Sequence, residues 1–77
     1  MVTINKERRK KLAMSCEYIT HALELLEEVL DEEREAMDNT PESLTETERY
    51  RQMEECVDSI EDAMTSLEDI VNSISEL

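Results

Sequence analysis

The first half of the chain carries apolar residues at alternating steps of four and three positions. This spacing places them on one stripe of an α-helix and is typical of helices that pack along their length. A polar residue, Glu33, stands where the stripe requires an apolar one, and a second file of small or branched residues runs beside it at steps of seven. The stripe consists of Leu12, Cys16, Ile19, Leu23, Leu26, Leu30 and Met37, and the second file of Ala22, Val29 and Ala36.

A similar pattern occupies the second half of the chain and continues to its last residue. It predicts a second long helix with its own stripe and its own companion file. We interpret the stripe as Met53, Cys56, Ile60, Ala63, Leu67, Ile70, Ile74 and Leu77, and the companion file as Tyr50, Val57, Met64 and Val71.

The two patterns are separated by a short segment that holds the only proline of the chain. Thr40 followed by Pro41 favours a helix start, because threonine caps a helix and proline fits its first position. Pro41 would open a short helical turn that leads into the second helix. We therefore expect one helix over 4–39, a turn over 40–44 and a second helix over 45–76.

A short turn makes the two helices antiparallel neighbours, so the sequence predicts an all-α, coiled-coil-like two-helix hairpin that forms one domain over 1–77. Two apolar positions in seven suffice for a simple coiled coil, whereas three in seven fit helices that face more than one neighbour. A chain this short also buries little surface alone. We therefore expect a homodimer that forms a four-helix bundle, with an oligomer interface of Ala22, Val29, Ala36, Tyr50, Val57, Met64 and Val71.

Charge is unevenly distributed along the chain. The net charge is −13, from twenty-one acidic and eight basic residues, and five of the basic residues lie within 6–11. The rest of the chain is a strongly acidic body, which repels nucleic acid and anionic membranes and attracts basic protein surfaces. We expect no direct nucleic-acid binding by this body and no membrane association.

The carboxylates of the body form clusters that helices would place in rows. The rows could be a solvated outer face that keeps the protein soluble, they could imitate the phosphates of a nucleic acid, or they could hold a cation. The candidate partner-binding carboxylates are Glu27, Glu28, Asp31, Glu54, Glu55, Asp58, Glu61 and Asp62.

Cofactor, metal and catalytic chemistry find little support in the sequence. His21 shares a helical face with Glu17 and Glu24, but di-iron bundles place glutamate three residues before histidine, where this chain has Tyr18. We therefore expect an ordinary surface histidine, no metal and no cofactor. One histidine and no glycine leave no phosphate loop and no catalytic triad, so we expect no enzymatic activity.

The two cysteines, Cys16 and Cys56, would lie roughly 20 Å apart along a hairpin, beyond the reach of a disulfide. We expect both to be reduced and buried. No stretch approaches the ~18 apolar residues of a membrane span and no signal-peptide core follows the basic start, so we expect a cytoplasmic protein.

Two polar features leave alternatives open. Glu33, near Arg34 and Arg49, could form a buried ion pair that fixes the register of the helices, or the bundle could fray there. The basic segment 6–11 could contact nucleic acid or the acidic body of a partner subunit. Pairing with the acidic end of the second helix in the same chain is favoured, because it needs no outside partner. That acidic end includes Glu68, Asp69 and Glu76.

The central part of the chain resembles a group of short acidic helical-hairpin proteins from Firmicutes and their phages. The resemblance rests on the stretch from Asp31 to Leu44, on Glu48-Arg49, on Met53-Glu54-Glu55 and on the start Asn5-Lys6-Glu7-Arg8-Arg9. Members carry an aromatic residue where this chain has Met37, a leucine at Thr40 and a glycine at Tyr50. The group has no assigned activity, so the resemblance implies a setting, a bacterial or phage-infected cell. In that setting small acidic proteins resemble inhibitors of host defence, such as anti-CRISPR and anti-restriction proteins.

The sequence therefore favours a non-enzymatic protein-binding module of phage or mobile-element origin that docks an acidic surface on a basic protein partner. The turn is the second candidate contact, through Thr40, Pro41, Glu42 and Leu44. The alternative is a structural or regulatory homo-oligomerisation module whose acidity only confers solubility.

Overall fold

The computed structural model describes residues 5–77 and contains two long helices. Helix α1 spans Lys6–Asp38 and helix α2 spans Glu48–Ser75, and the connection between them contains one turn of 3-10 helix, Glu42–Leu44. The helices pack against each other in an elongated body of 59 × 18 × 13 Å. Within the described residues there is no strand, so the all-α helical hairpin expected from the apolar pattern is confirmed.

Side-chain caps define where each helix begins. The side chain of Asn5 accepts a hydrogen bond from the backbone N–H of Arg8, which satisfies a free donor in the first turn of α1. Thr47 does the same for the N–H of Tyr50 at the start of α2. The second helix thus begins at Glu48, three residues after the expected start at residue 45. The expected start of the first helix, residue 4, lies outside the described residues.

Local hydrogen bonds explain the late start of α2. The Thr45 hydroxyl donates to the carbonyl of Glu42, and the Thr47 hydroxyl donates to the carbonyl of Leu44. These bonds hold the chain in successive tight turns before the helix begins, because a hydroxyl so placed competes with regular helical hydrogen bonding. Among the threonines near the turn, Thr47 is therefore the one whose side chain caps α2.

The seam, meaning the row of side chains that pack between α1 and α2, buries few residues fully. Leu30 and Val57 are the only buried residues among those described. The remaining seam residues are half-buried. On α1 they are Leu12, Cys16, Ile19, Ala22, Leu23, Leu26, Glu33 and Met37, and on α2 they are Tyr50, Met53, Ile60, Met64, Leu67, Val71 and Ile74.

The stripe expected on α1 therefore forms the seam, whereas the stripe expected on α2 was assigned partly wrong. Cys56, Ala63, Ile70 and Leu77 are exposed, and the file through Val57 and Met64 packs beside α1. The file chosen by the fold has the bulkier side chains near the turn, so more apolar surface leaves water. Both cysteines are free as expected, but Cys16 is only half-buried and Cys56 is exposed, so the expectation that both are buried is wrong.

Candidate interaction surfaces

The hairpin has two long faces, one on each side of the seam. On one face Arg34 of α1 donates to the Glu61 carboxylate of α2 over 2.5 Å. On the other, Ala36 of α1 shares a groove with Arg49 and Gln52 of α2. Because the side-chain pattern repeats every seven residues, these contacts assign each exposed position to one face or the other along both helices.

The first face is called the acidic face here. It is formed by Arg34 and Glu61, by the residues adjacent to them on the same side of each helix, and by the residues seven positions before or after these. Every member is exposed. Its members are Lys10, Glu17, Thr20, Glu24, Glu27, Asp31, Arg34 and Asp38 of α1 and Arg51, Glu54, Asp58, Glu61, Thr65 and Glu68 of α2.

All eight partner-binding carboxylates expected from the sequence are exposed. Five belong to the acidic face, namely Glu27, Asp31, Glu54, Asp58 and Glu61. The other three, Glu28, Glu55 and Asp62, lie on the outer edges of the hairpin. The structure therefore places all of them on the acidic face or beside it.

Arg34 and Glu61 form the only ion pair that joins the two helices within residues 5–77. Both side chains are about half exposed, so the pair adds less than about 1 kcal/mol to stability. The sequence pointed to Glu33 for this role. Glu33 is half-buried at the seam without an ion pair, and α1 continues regularly past it, so neither the buried pair nor the frayed end expected there occurs.

His21 is an exposed histidine whose Nδ1 atom lies 3.7 Å from the Glu24 carboxylate. The interpretation of His21 as a surface residue is confirmed. No group of three or more histidine, cysteine, aspartate or glutamate side chains suited to a metal ion occurs in the described part of the chain.

The second face is called the apolar face here. Two of the twenty-one acidic residues lie on this side, the exposed Glu32 and the half-buried Glu33, which lines the groove with Arg49. Its basic residues, Arg8, Lys11 and Arg49, lie towards the ends of the hairpin. The uncharged members are Ser15, Tyr18, Ala22, Leu25, Val29 and Ala36 of α1 and Gln52, Cys56, Ser59, Ala63, Ser66, Ile70 and Ser73 of α2.

Large hydrophobic side chains are exposed on the apolar face. Tyr18 is 69% exposed, Leu25 is 51% exposed, and Val29 and Ile70 are close to half exposed. The other large hydrophobics exposed among residues 5–77 lie at the ends or on an outer edge; they are Met14, Leu44 and Leu77. An uncharged strip with large apolar side chains is typical of a protein interface.

The structure separates the two halves of the expected oligomer interface. Its α1 members Val29 and Ala36 are exposed on the apolar face, and Ala22 is half-buried beside them. Its α2 members are wrong, because Val57 is buried and the other three, Tyr50, Met64 and Val71, are half-buried in the seam. The exposed α2 residues of this face are instead Cys56, Ala63 and Ile70. Their spacing by seven was visible in the sequence but was read as part of the seam.

The turn contributes a groove of its own, of about 470 Å³, lined by Thr40, Pro41 and Leu44 together with Tyr50. Thr40 is held there because its hydroxyl donates to the carbonyl of Ala36. Glu42 does not line this groove. The groove also includes Ala36, Arg49 and Met53, so it opens towards the apolar face. The structure thus separates the turn from the acidic carboxylates with which the sequence grouped it.

The basic segment Lys6–Lys11 is exposed and forms no ion pair with any carboxylate among residues 5–77. The expected pairing with the acidic end of α2 is therefore absent. Arg8 and Lys11 instead line a shallow groove with Leu12 and Ser15, on the apolar side of α1.

Comparisons with known proteins give no family. No protein-family model matches the chain, and no curated protein or solved structure matches it. Neither described helix has a stretch long and apolar enough to cross a membrane.

Proposed function

We propose that the chain is a non-enzymatic protein-binding module that docks its acidic face on a basic surface of a partner protein. The observation that carries the proposal is the segregation of charge, since of the twenty-one acidic residues only Glu32 and the half-buried Glu33 lie on the apolar face. From Gln52 onward the chain contains no lysine or arginine. A face on which carboxylates outnumber cations attracts basic proteins and accelerates their association.

The density of charge along α2 supports a partner whose natural ligand is a nucleic acid. Seven carboxylates lie from Glu54 to Asp69 without a basic residue among them, four on the acidic face and three, Glu55, Asp62 and Asp69, on the adjoining outer edge. At ~1.5 Å per residue this gives roughly one negative charge every 3–4 Å, close to the ~3.4 Å spacing along one DNA strand. The resemblance to small acidic phage proteins agrees with a cytoplasmic inhibitor that occupies such a site in a defence protein.

The test is capture of basic proteins from a bacterial lysate, followed by charge reversal. The test variant is Glu54→Lys with Asp58→Lys on the acidic face. The control variant is Glu35→Lys with Glu48→Lys, two exposed positions near the turn that give the same change in net charge.

A partner of the acidic face should be lost by the test variant, retained by the control, and displaced by added double-stranded DNA. Its binding should also weaken steeply with salt, because the contacts are between charges. Equal capture by both variants would rule out docking through the acidic face.

The apolar face favours a second candidate function, homo-oligomerisation, and we propose that two hairpins pair into a four-helix bundle. A compact 9.0 kDa monomer exposes about 4,900 Å² of surface, whereas this hairpin exposes 6339 Å². Light scattering coupled to size exclusion should give twice the 9.0 kDa chain mass at low and high salt. A monomer at both would exclude this function and leave the first proposal standing.

A further inference from the structure

We propose that the apolar face docks on the same face of a second copy, with the two hairpins head to tail, so that α1 lies against α1 and α2 against α2. The turn of each hairpin then lies beside the basic segment Lys6–Lys11 of the other. The inference deepens the proposed self-association, on which it rests.

The area of the apolar face suits a second copy of this chain. Helix α1 has 33 residues and the hairpin is 18 Å across. At ~1.5 Å per residue the whole side of the hairpin that carries this face, basic segment included, measures on the order of 900 Å² per copy, close to the ~800 Å² that each partner buries in a standard interface. A flat face of matching length on an identical hairpin covers it from end to end.

The charges on α1 favour the head-to-tail arrangement. The middle of α1 is Ala22, a small residue at which two antiparallel α1 helices can cross. Lys11 lies eleven residues before Ala22 and Glu32 lies ten residues after it. In a head-to-tail pair, Lys11 of each copy is therefore level with Glu32 of the other.

The opposite arrangement, with both turns at one end, leaves that carboxylate without a cation level with it. Glu32 would then face α2 of the second copy near Cys56 and Ser59, which are uncharged, and the nearest cation on that face, Arg49, lies seven residues before Cys56, roughly 10 Å along the helix. It would also place two acidic turns together. An unpaired carboxylate at an interface is costly, and like charges oppose association. Head-to-tail docking supplies a cation for Glu32 and places the basic segment beside the acidic turn.

The face is tested with two matched substitutions on α1, Val29→Glu on the apolar face and Thr20→Glu on the acidic face. Both replace an exposed β-branched residue by glutamate. Sedimentation equilibrium should show that Val29→Glu weakens the dimer by roughly 100-fold or more, because each copy then buries an unpaired charge. Thr20→Glu should change the dissociation constant little, and both variants should keep the helical circular dichroism signal.

The orientation is tested with nitroxide labels on Ser43→Cys, at the turn, in a Cys16→Ala, Cys56→Ala background. Pulsed electron resonance should give a distance of about 50 Å between copies head to tail, and under about 25 Å with both turns at one end. As a second measurement, Lys11→Glu chains and Glu32→Lys chains should each dimerise weakly alone and strongly when mixed, since the mixed pair restores both attractions. This mixing decides the orientation if the labelled background does not dimerise.

The outcomes separate this inference from the proposals above. A wild-type monomer overturns self-association itself. A dimer that Val29→Glu and Thr20→Glu affect equally overturns the assignment of the face but leaves self-association intact. A short label distance, or mixed chains that pair no better than either chain alone, overturns the head-to-tail arrangement.

Discussion

Two adjacent residues on α2, Cys56 and Val57, test which file of apolar residues forms the seam. Val57 is one of the two residues buried within 5–77, and Cys56 is exposed. Val57→Ala removes two methyl groups from the seam, which costs about 1.6 kcal/mol at ~0.8 kcal/mol per buried carbon, plus a cavity term. The better helix propensity of alanine returns roughly 0.5 kcal/mol. The net loss expected for Val57→Ala is therefore about 1–2 kcal/mol.

Cys56→Ala is the matched control, because it truncates the neighbouring side chain on the exposed file. Cys56→Ala should change the free energy of unfolding of the hairpin by no more than about 0.5 kcal/mol, as is usual for surface substitutions.

Thermal and urea unfolding, followed by circular dichroism at several protein concentrations, measure both variants. For a domain of this size 1 kcal/mol shifts Tm by about 4–8 °C, so Val57→Ala should lower Tm by roughly 5–15 °C. That loss should persist at the lowest protein concentration, because the contact lies within one chain. Equal losses for the two variants, or a larger loss for Cys56→Ala, would show that the seam runs through Cys56 and that the assignment of both faces is wrong.

Three further substitutions have expected outcomes. Glu33→Leu should raise Tm, because it replaces a half-buried carboxylate in the seam by an apolar side chain; a lower Tm would contradict this. Thr47→Ala should lower the free energy of unfolding in urea by about 1 kcal/mol, because it removes the cap of α2. Thr47→Asn should retain most of that stability, because asparagine also caps helices. A double-mutant cycle on Arg34 and Glu61 should give a coupling below about 1 kcal/mol that shrinks with salt; a larger, salt-independent value would mean that the pair is not solvated.

The hairpin and the α1 half of its seam could be predicted because α1 offers only one stripe of large apolar residues. The file beside that stripe consists of alanines and Val29, so burial of the leucines removes more apolar surface from water than burial of this file would. On α2, Met53, Ile60 and the residues that follow at the same spacing fit two alternative stripes, one completed by the file through Cys56 and the other by the file through Val57. Packing against α1 decides which file completes the stripe, and the pattern of a single helix does not contain that information.

The polar details could not be predicted for a related reason. Thr40, Thr45 and Thr47 all have the chemistry of a helix cap, and the side chain that caps α2 depends on the path of the whole turn. The basic segment was expected to pair with the end of α2 because the two are close. Exposed pairs gain little energy and cost side-chain entropy, so proximity alone does not produce them.

The segregation of charge connects the two proposed functions. If the apolar faces pair, the acidic faces of the two copies lie on opposite outer sides of the dimer, so each remains available to a basic partner. Burial of the apolar face adds stability to a hairpin whose own seam buries only Leu30 and Val57, whereas the carboxylates stay in water and retain their charge. Mixing the two kinds of residue on one face would have forced carboxylates into the interface or left apolar side chains exposed. Self-association and partner binding therefore use separate surfaces of the same two helices, and a substitution such as Val29→Glu can remove the first while sparing the second.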